Sequence, residues 1–282
     1  MGVFGIGMWP CVTAPGLRKI GKLAEELGYE SVWAPEQEVL PDSRQTPPPL
    51  DPRHPVLDPL IALALVAGVT RRLRLGTGVL ILSRHDPVRL AKEVASLDAV
   101  SDGRAILGIS VGQPESEMVV ARASPSWRDG QAEEPPRTIE ALWPSATAEQ
   151  HISFPQEDAC PQPPQLRVPL VVGGRNQAAF RHAVRYGSGW YGFGLDRARA
   201  EADLRALSAE AAVVGRDFGE LTITVTPTET LTHEVISDYA RMGVDRLVVM
   251  HPAGSRDGTL EWAEFEEFVR ANAPREVGAF PA

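Results

Sequence analysis

The residues of this 282-residue chain best equipped for chemistry stand just past short β-branched runs. Glu36 and Gln37 follow the run Glu30–Ala34. Gln113, Glu115 and Glu117 follow Ala105–Gly112, with Gly112 at the turn. At such places a carboxylate or amide can act as acid, base or hydrogen-bonding group, although a lone carboxylate at a strand end is more often simply solvated. Glycine-rich turns accompany them. Gly76, Thr77, Gly78 and Val79 lie in the run Leu73–Leu80, where a backbone without Cβ either makes a tight turn or lets a flat ring approach closely. A non-proline cis peptide is conceivable there. Gly173, Gly174, Arg175 and Asn176 end the run Pro169–Gly174 and open a helix. The N–H groups of such a helix start, with Arg175 adding charge, form a ready site for phosphate. Trp190, in the run Gly189–Gly192, offers a flat face for stacking on a ring, though packing is an equal explanation.

Other chemistries find no support. His54, His85, His151, His182, His233 and His251 show no metal-ligand spacing, so no metal is expected. There is no Gly-x-Ser-x-Gly elbow and no Gly-x-Gly-x-x-Gly dinucleotide fingerprint.

The elements that must position these groups repeat one unit, a β-branched run ending at glycine and then a helical segment. Val3–Met8, Leu221–Val225 and Arg246–Met250 complete eight such runs. Eight strands alternating with helices predict an α/β fold, a parallel (β/α)8 TIM barrel with its chemistry at the C-terminal strand ends. Pro15 opens the first helix, with Leu17, Ile20, Ala24 and Leu27 at helical spacing and Gly28 closing it. Asp58-Pro59 and Asp86-Pro87 mark two more helix starts, for Leu60–Val69 and Val88–Val100. Asn176–Tyr186, Asp196–Val214, Thr232–Met242 and Leu260–Ala271 supply the last four. Two proline-rich stretches interrupt the pattern. Pro35–Asp58 is expected to form a mobile lid or pocket wall. Gln113–Pro169 reads as a barrel segment reduced to loops, with one short helix near Thr138–Trp143.

Composition fits one domain spanning 1–282, since such barrels need ~250 residues. Hydrophobic residues make up 43% of the chain, enough for a large core. A net charge of −9 argues against nucleic acid. Cys11 and Cys160 suggest neither a disulfide framework nor a zinc site. Without an apolar run of ~20 residues or a signal peptide, a soluble cytoplasmic protein with no membrane partner is expected. Leu60–Val69 is apolar nearly all round, whereas an outer barrel helix needs one apolar stripe. A homodimer burying the second face, which includes Leu63, is therefore expected.

Taken in order, Leu27–Glu36, Arg72–Leu80, Pro87–Asp98, Ser101–Gly108, Pro169–Gly174 and Gly187–Trp190 resemble the bacterial luciferase-like monooxygenase family, in particular its deazaflavin-dependent branch. The resemblance covers nearly the whole chain. It implies a flavin- or coenzyme F-420-dependent oxidoreductase acting on a small organic substrate, with FMN and a separate reductase as the alternative. It implies that Gly76, Thr77, Gly78 and Val79 back the cofactor ring and that Gly173 and Gly174 hold its phosphate. It also implies dimerisation through the helices after strands two and three. Three positions depart from the family pattern: Gln37 where histidine is frequent, Gly112-Gln113-Pro114 where Gly-Trp-Asn is frequent, and Ser188 where aspartate is usual. Glu36 and Gln113 are the residues expected to face substrate or ring. A barrel that binds a flavin without catalysis is the rival from another class.

Overall fold

The computed structural model describes residues 1–6, 8, 10–36, 55–110, 163–165, 167–252 and 260–278. Its strands are β1 (Gly2–Phe4), β2 (Ser31–Ala34), β3 (Arg74–Thr77), β4 (Leu80–Ile81), β5 (Ala105–Ser110), β6 (Leu170–Gly173), β7 (Gly189–Leu195), β8 (Thr222–Pro227) and β9 (Arg246–Val249). Every ladder between them is parallel. β1 pairs with both β2 and β9, and a β3–β5 pairing closes the sheet. β4 continues β3 beyond an interruption at Gly78-Val79, so the wall has eight strand positions and is a closed (β/α)8 barrel.

The helices are α1 (Ala14–Glu26), α2 (Pro59–Ala67), α3 (Pro87–Val100), α4 (Gln177–Tyr186), α5 (Arg197–Val214), α6 (His233–Arg241) and α7 (Trp262–Ala271). Their starts follow from the sequence chemistry. Asp58 accepts from the Ile61 N–H at 2.9 Å, and Asp86 accepts from the Arg89 N–H at 2.9 Å. In each case a proline follows in the first turn, where its missing N–H costs nothing. The region near Thr138–Trp143 lies outside the described residues.

Strand alternation divides the apolar residues into two cores. Val32, Leu75, Leu107, Val172, Ile223 and Leu247 face the helices and form the larger one. Phe4, Trp33, Ile106, Val171, Tyr191 and Val248 fill the barrel lumen. Trp33 is fully buried, with its indole N–H on Ser31 Oγ at 2.9 Å and Tyr191 5.2 Å away between ring centroids.

The N-terminal end of the barrel is closed by ions. Arg246 grips Glu30 with two hydrogen bonds of 2.8 Å and donates a third to Thr224 Oγ1 at 3.1 Å. Burial opposes ionisation of Glu30. The hydrogen bonds and charge of Arg246, helped by Ser31 and the α-amino group, outweigh it and hold the carboxyl below its usual range. A depressed folded pKa gives stability that is fully present above the unfolded value of about 4.3 and lost as pH falls through the folded one. Glu30→Gln should therefore be less stable than the parent at neutral pH, with a gap that narrows on acidification. Urea melts across this range measure the gap, and parallel pH profiles would remove Glu30 from the acid response.

Candidate active site at the C-terminal mouth of the barrel

The turn after β3 lies against the ends of β5 and β6. Thr77 is buried, and its Oγ1 both donates to the Gly108 carbonyl and accepts from the Gly108 N–H, each at 2.8 Å. The hydroxyl thus serves as a rung between β3 and β5. The Gly78–Val79 peptide is cis. The Val79 methyl groups lie 3.1 and 3.2 Å from where a Gly173 Cβ would stand, and one lies 3.2 Å from that of Gly108. Glycine at 173 lets Val79 settle against β6, while at 108 the Thr77 carbonyl oxygen, 2.1 Å from where a Cβ would stand, already requires glycine. Gly76 has a different explanation from close approach of a ligand: a Cβ there would lie 2.6 Å from ring carbons of Trp33. The flat ring that Gly76 admits is the protein's own indole.

The turn after β6 is built for backbone display. Gly174 has φ +121° and is exposed, a conformation that suits glycine. Asn176 caps α4 by accepting from the Ala179 N–H at 2.8 Å. The N–H groups of Gln177 and Ala178, in the first helical turn, have no intrahelical acceptor and point out of the helix start. Arg175 is committed elsewhere. Its guanidinium pairs with Asp203 on α5, with Nε–Oδ2 at 2.5 Å, and that pairing raises its pKa further. The added charge expected at this turn is therefore already neutralised by a neighbour.

Trp190 also differs from expectation. It is fully buried on the helix side of the wall, edge-on to Phe180 of α4 at 5.9 Å, and its indole N–H donates to the Gly174 carbonyl at 2.8 Å. It cannot offer a face to a ring in the mouth, but it ties down the glycine turn. Glu36 is likewise engaged. One oxygen accepts from the Ile81 N–H and the other lies 2.6 Å from His85 Nε2. The carboxylate thus fixes the chain just beyond Gly78-Val79 instead of standing open to solvent. Gly112 and Gln113 lie outside the described residues, as do 37–54 and 111–162.

The structure adds residues that the motifs did not reveal. Phe193, two positions beyond Tyr191 on the lumen side of β7, lies tilted against Phe4 with ring centroids 5.0 Å apart. Met8, Val56, Val79 and Met250 pack on the same lumen cluster. Met8 and Val56 form an antiparallel bridge, which brings the segment before α2 to the mouth. Period-2 counting along Trp190-Tyr191-Gly192-Phe193 carries the missing signal, because it puts Trp190 on the opposite face from Tyr191 and Phe193. His251, at the end of β9, is packed on Phe268 at 4.9 Å and lies 3.7 Å from Glu264. Burial lowers its pKa, with Glu264 opposing. Among the described residues no cluster of His, Cys, Asp and Glu could hold a metal, and no helix is long and apolar enough to cross a membrane.

The chain that folds into this barrel matches the luciferase-like monooxygenase family model over residues 12–268, and it belongs to that family. Members of this family are flavin- or F-420-dependent oxidoreductases and monooxygenases. An uncharacterised Mycobacterium tuberculosis protein is 29% identical over 255 residues, covering 86% of this chain and 89% of its own length. An F-420-dependent glucose-6-phosphate dehydrogenase of Kineococcus radiotolerans is 32% identical over 225 residues, covering 75% of this chain and 63% of the relative. Among solved structures, an F-420-dependent secondary alcohol dehydrogenase in complex with an F-420–acetone adduct superposes with a TM-score of 0.71 at 13% identity. That match covers 98% of this chain and 97% of the other, and it shows the shared fold.

Proposed function

We propose that this chain is an oxidoreductase that binds coenzyme F-420 at the C-terminal mouth of its barrel and acts on a small organic substrate. The observation that carries the reading is the contact between Val79 and Gly173, which joins the turn after β3 to the turn after β6 in one continuous surface. The residues present fit the group. The backbone of Gly78 and Val79 would back its ring. Gly173, Gly174 and the first N–H groups of α4 would hold its phosphate. Bound there, the cofactor supplies two-electron, hydride-transferring chemistry, while the protein supplies binding, orientation and exclusion of water. Glu36 and His85 act on this arrangement by fixing the segment after Val79, and Trp190 by fixing Gly174. The F-420-dependent relative from Kineococcus radiotolerans supports F-420 over FMN. Two copies are proposed to assemble through α2 and α3.

Titration with F-420 and with FMN tests the cofactor. Saturable F-420 binding with substrate turnover supports the reading. Preference for FMN would turn it toward a monooxygenase fed by a separate reductase, and a barrel that binds neither would end it.

The phosphate site has a cleaner variant than a substitution at either glycine. Gln177 is the first residue of α4, where proline is tolerated, and Asn176 before it is already extended at φ −100°, ψ 165°. Gln177→Pro removes one N–H from the proposed site, together with an exposed side-chain hydrogen bond to Glu210. Losing a charge-assisted hydrogen bond worth about 1.5–3 kcal/mol should weaken cofactor binding about ten- to hundredfold at nearly unchanged thermal stability. Equal titration curves for parent and variant would place the phosphate elsewhere.

A further inference from the structure

From the lumen side chains at the mouth we infer that the substrate site takes an uncharged, flat aromatic molecule, held face to face or edge to face on Phe193. The inference rests on the cofactor reading above and names the substrate class of that same site. Phe193 keeps 45% of its surface exposed, although it sits on a barrel strand with its ring 5.0 Å from Phe4 and 6.2 Å from Tyr191. An isolated exposed phenylalanine would need no explanation. This one rests on the buried Phe4 and so continues a face with Met8 and the partly buried Val56, Val79 and Met250. Phe4 carries that face to the proposed cofactor position, since its ring lies 3.1 Å from where a Gly78 Cβ would stand.

The strand itself is shaped to present this ring. The β7–β8 register shifts between Phe193 and Leu195, and Gly194 adopts φ +67°. A bulge of this kind bends the strand and re-aims a side chain at a barrel rim. The described side chains of this face also favour an uncharged substrate over an anionic one. The six residues of the face carry no charge, and among the described residues Arg175 is paired with Asp203 and Arg197 with Glu229 and Asp238. A phosphate set against the six side chains of this face would meet no charge or hydrogen-bond donor among them and would lose hydration there without replacement. An aromatic ring gains both apolar burial and ring-on-ring contact.

The probe is 2-naphthol, titrated into the full chain with and without F-420 and followed by its fluorescence. Saturable binding is expected, weakened about tenfold by Phe193→Ser and less by Phe193→Leu, with the F-420 titration unchanged in both. Glucose 6-phosphate in excess should not displace the probe. Unaltered 2-naphthol affinity in both variants, or displacement by glucose 6-phosphate, overturns the inference. Loss of F-420 affinity in the variants also overturns it, because it assigns Phe193 to the cofactor. If Phe193→Ser fails to fold, Phe193→Leu keeps the apolar volume and decides alone. The cofactor reading fails separately: a chain that binds neither F-420 nor FMN yet holds 2-naphthol in a Phe193-dependent way has the aromatic site without that cofactor.

Discussion

Gly76→Ala should destabilise the parent protein by about 1–3 kcal/mol, the usual cost of overpacking, and should cost far less when Trp33 is already alanine. The added methyl would stand 2.6 Å from the Trp33 ring, and the ring has nowhere to go. It is fully buried, hydrogen-bonded to Ser31 and packed against Tyr191, with Arg246 5.7 Å from its centroid. Trp33→Ala alone should lose about 3–5 kcal/mol, because it empties the middle of the lumen. The two positions share one volume, so their effects cannot add. Urea denaturation of the four proteins gives the coupling directly. A coupling near zero would mean that Gly76 answers to something other than Trp33, and close approach by a bound ring would then be its best explanation.

The fold was legible because its signals are local and repeated. Proline after aspartate started α2 and α3, Gly28 followed α1 with φ +82°, and β-branched runs marked every strand. Boundaries moved by a few residues. The run Val3–Met8 is a strand only over Gly2–Phe4, and Leu73–Leu80 divides into β3 and β4 around Gly78-Val79. The run Gly189–Gly192 extends to Leu195, because the bulge at Gly194 lets pairing with β8 continue beyond the glycine.

The candidate site's glycine turns were legible in the sequence, and the surroundings of its side chains were not. The glycine turns announced themselves, since glycine is a statement about backbone space. Whether a charged or aromatic group points into the mouth depends on partners far away in sequence. Arg175 meets Asp203 and Glu36 meets His85 and Ile81, which no local pattern near either residue encodes. Phe193 carries no local signal for a related reason. Its exposure becomes meaningful only once Phe4, from the other end of the chain, is seen beside it.

Assembly offers the second large effect, and the structure changes which residue should be altered. The all-apolar helix Pro59–Ala67 turns Ala62, Leu63, Val66 and Ala67 into the core. Leu63 is fully buried against the barrel, so it does not belong to the second face, and a charge there would unfold the chain whatever its assembly. The outward face carries Ile61, which is 70% exposed, together with Ala64 and the partly buried Leu60 and Leu65. Helix α3 packs beside α2 and itself exposes Val88 near its start and Val100 at its end. Helix α5, by contrast, carries Arg199, Glu201 and Arg205 in exposed ion pairs. An outer helix with no charged residue is costly in water and is the surface expected to meet its own copy about a two-fold axis, burying ~1,600 Å² or more. Ile61→Glu should therefore give folded monomers at micromolar concentration where the parent sediments as a dimer, with urea denaturation checking that the barrel is intact. A parent that sediments at the mass of one chain would sink the dimer, and an Ile61→Glu variant that remains dimeric would move the interface away from α2.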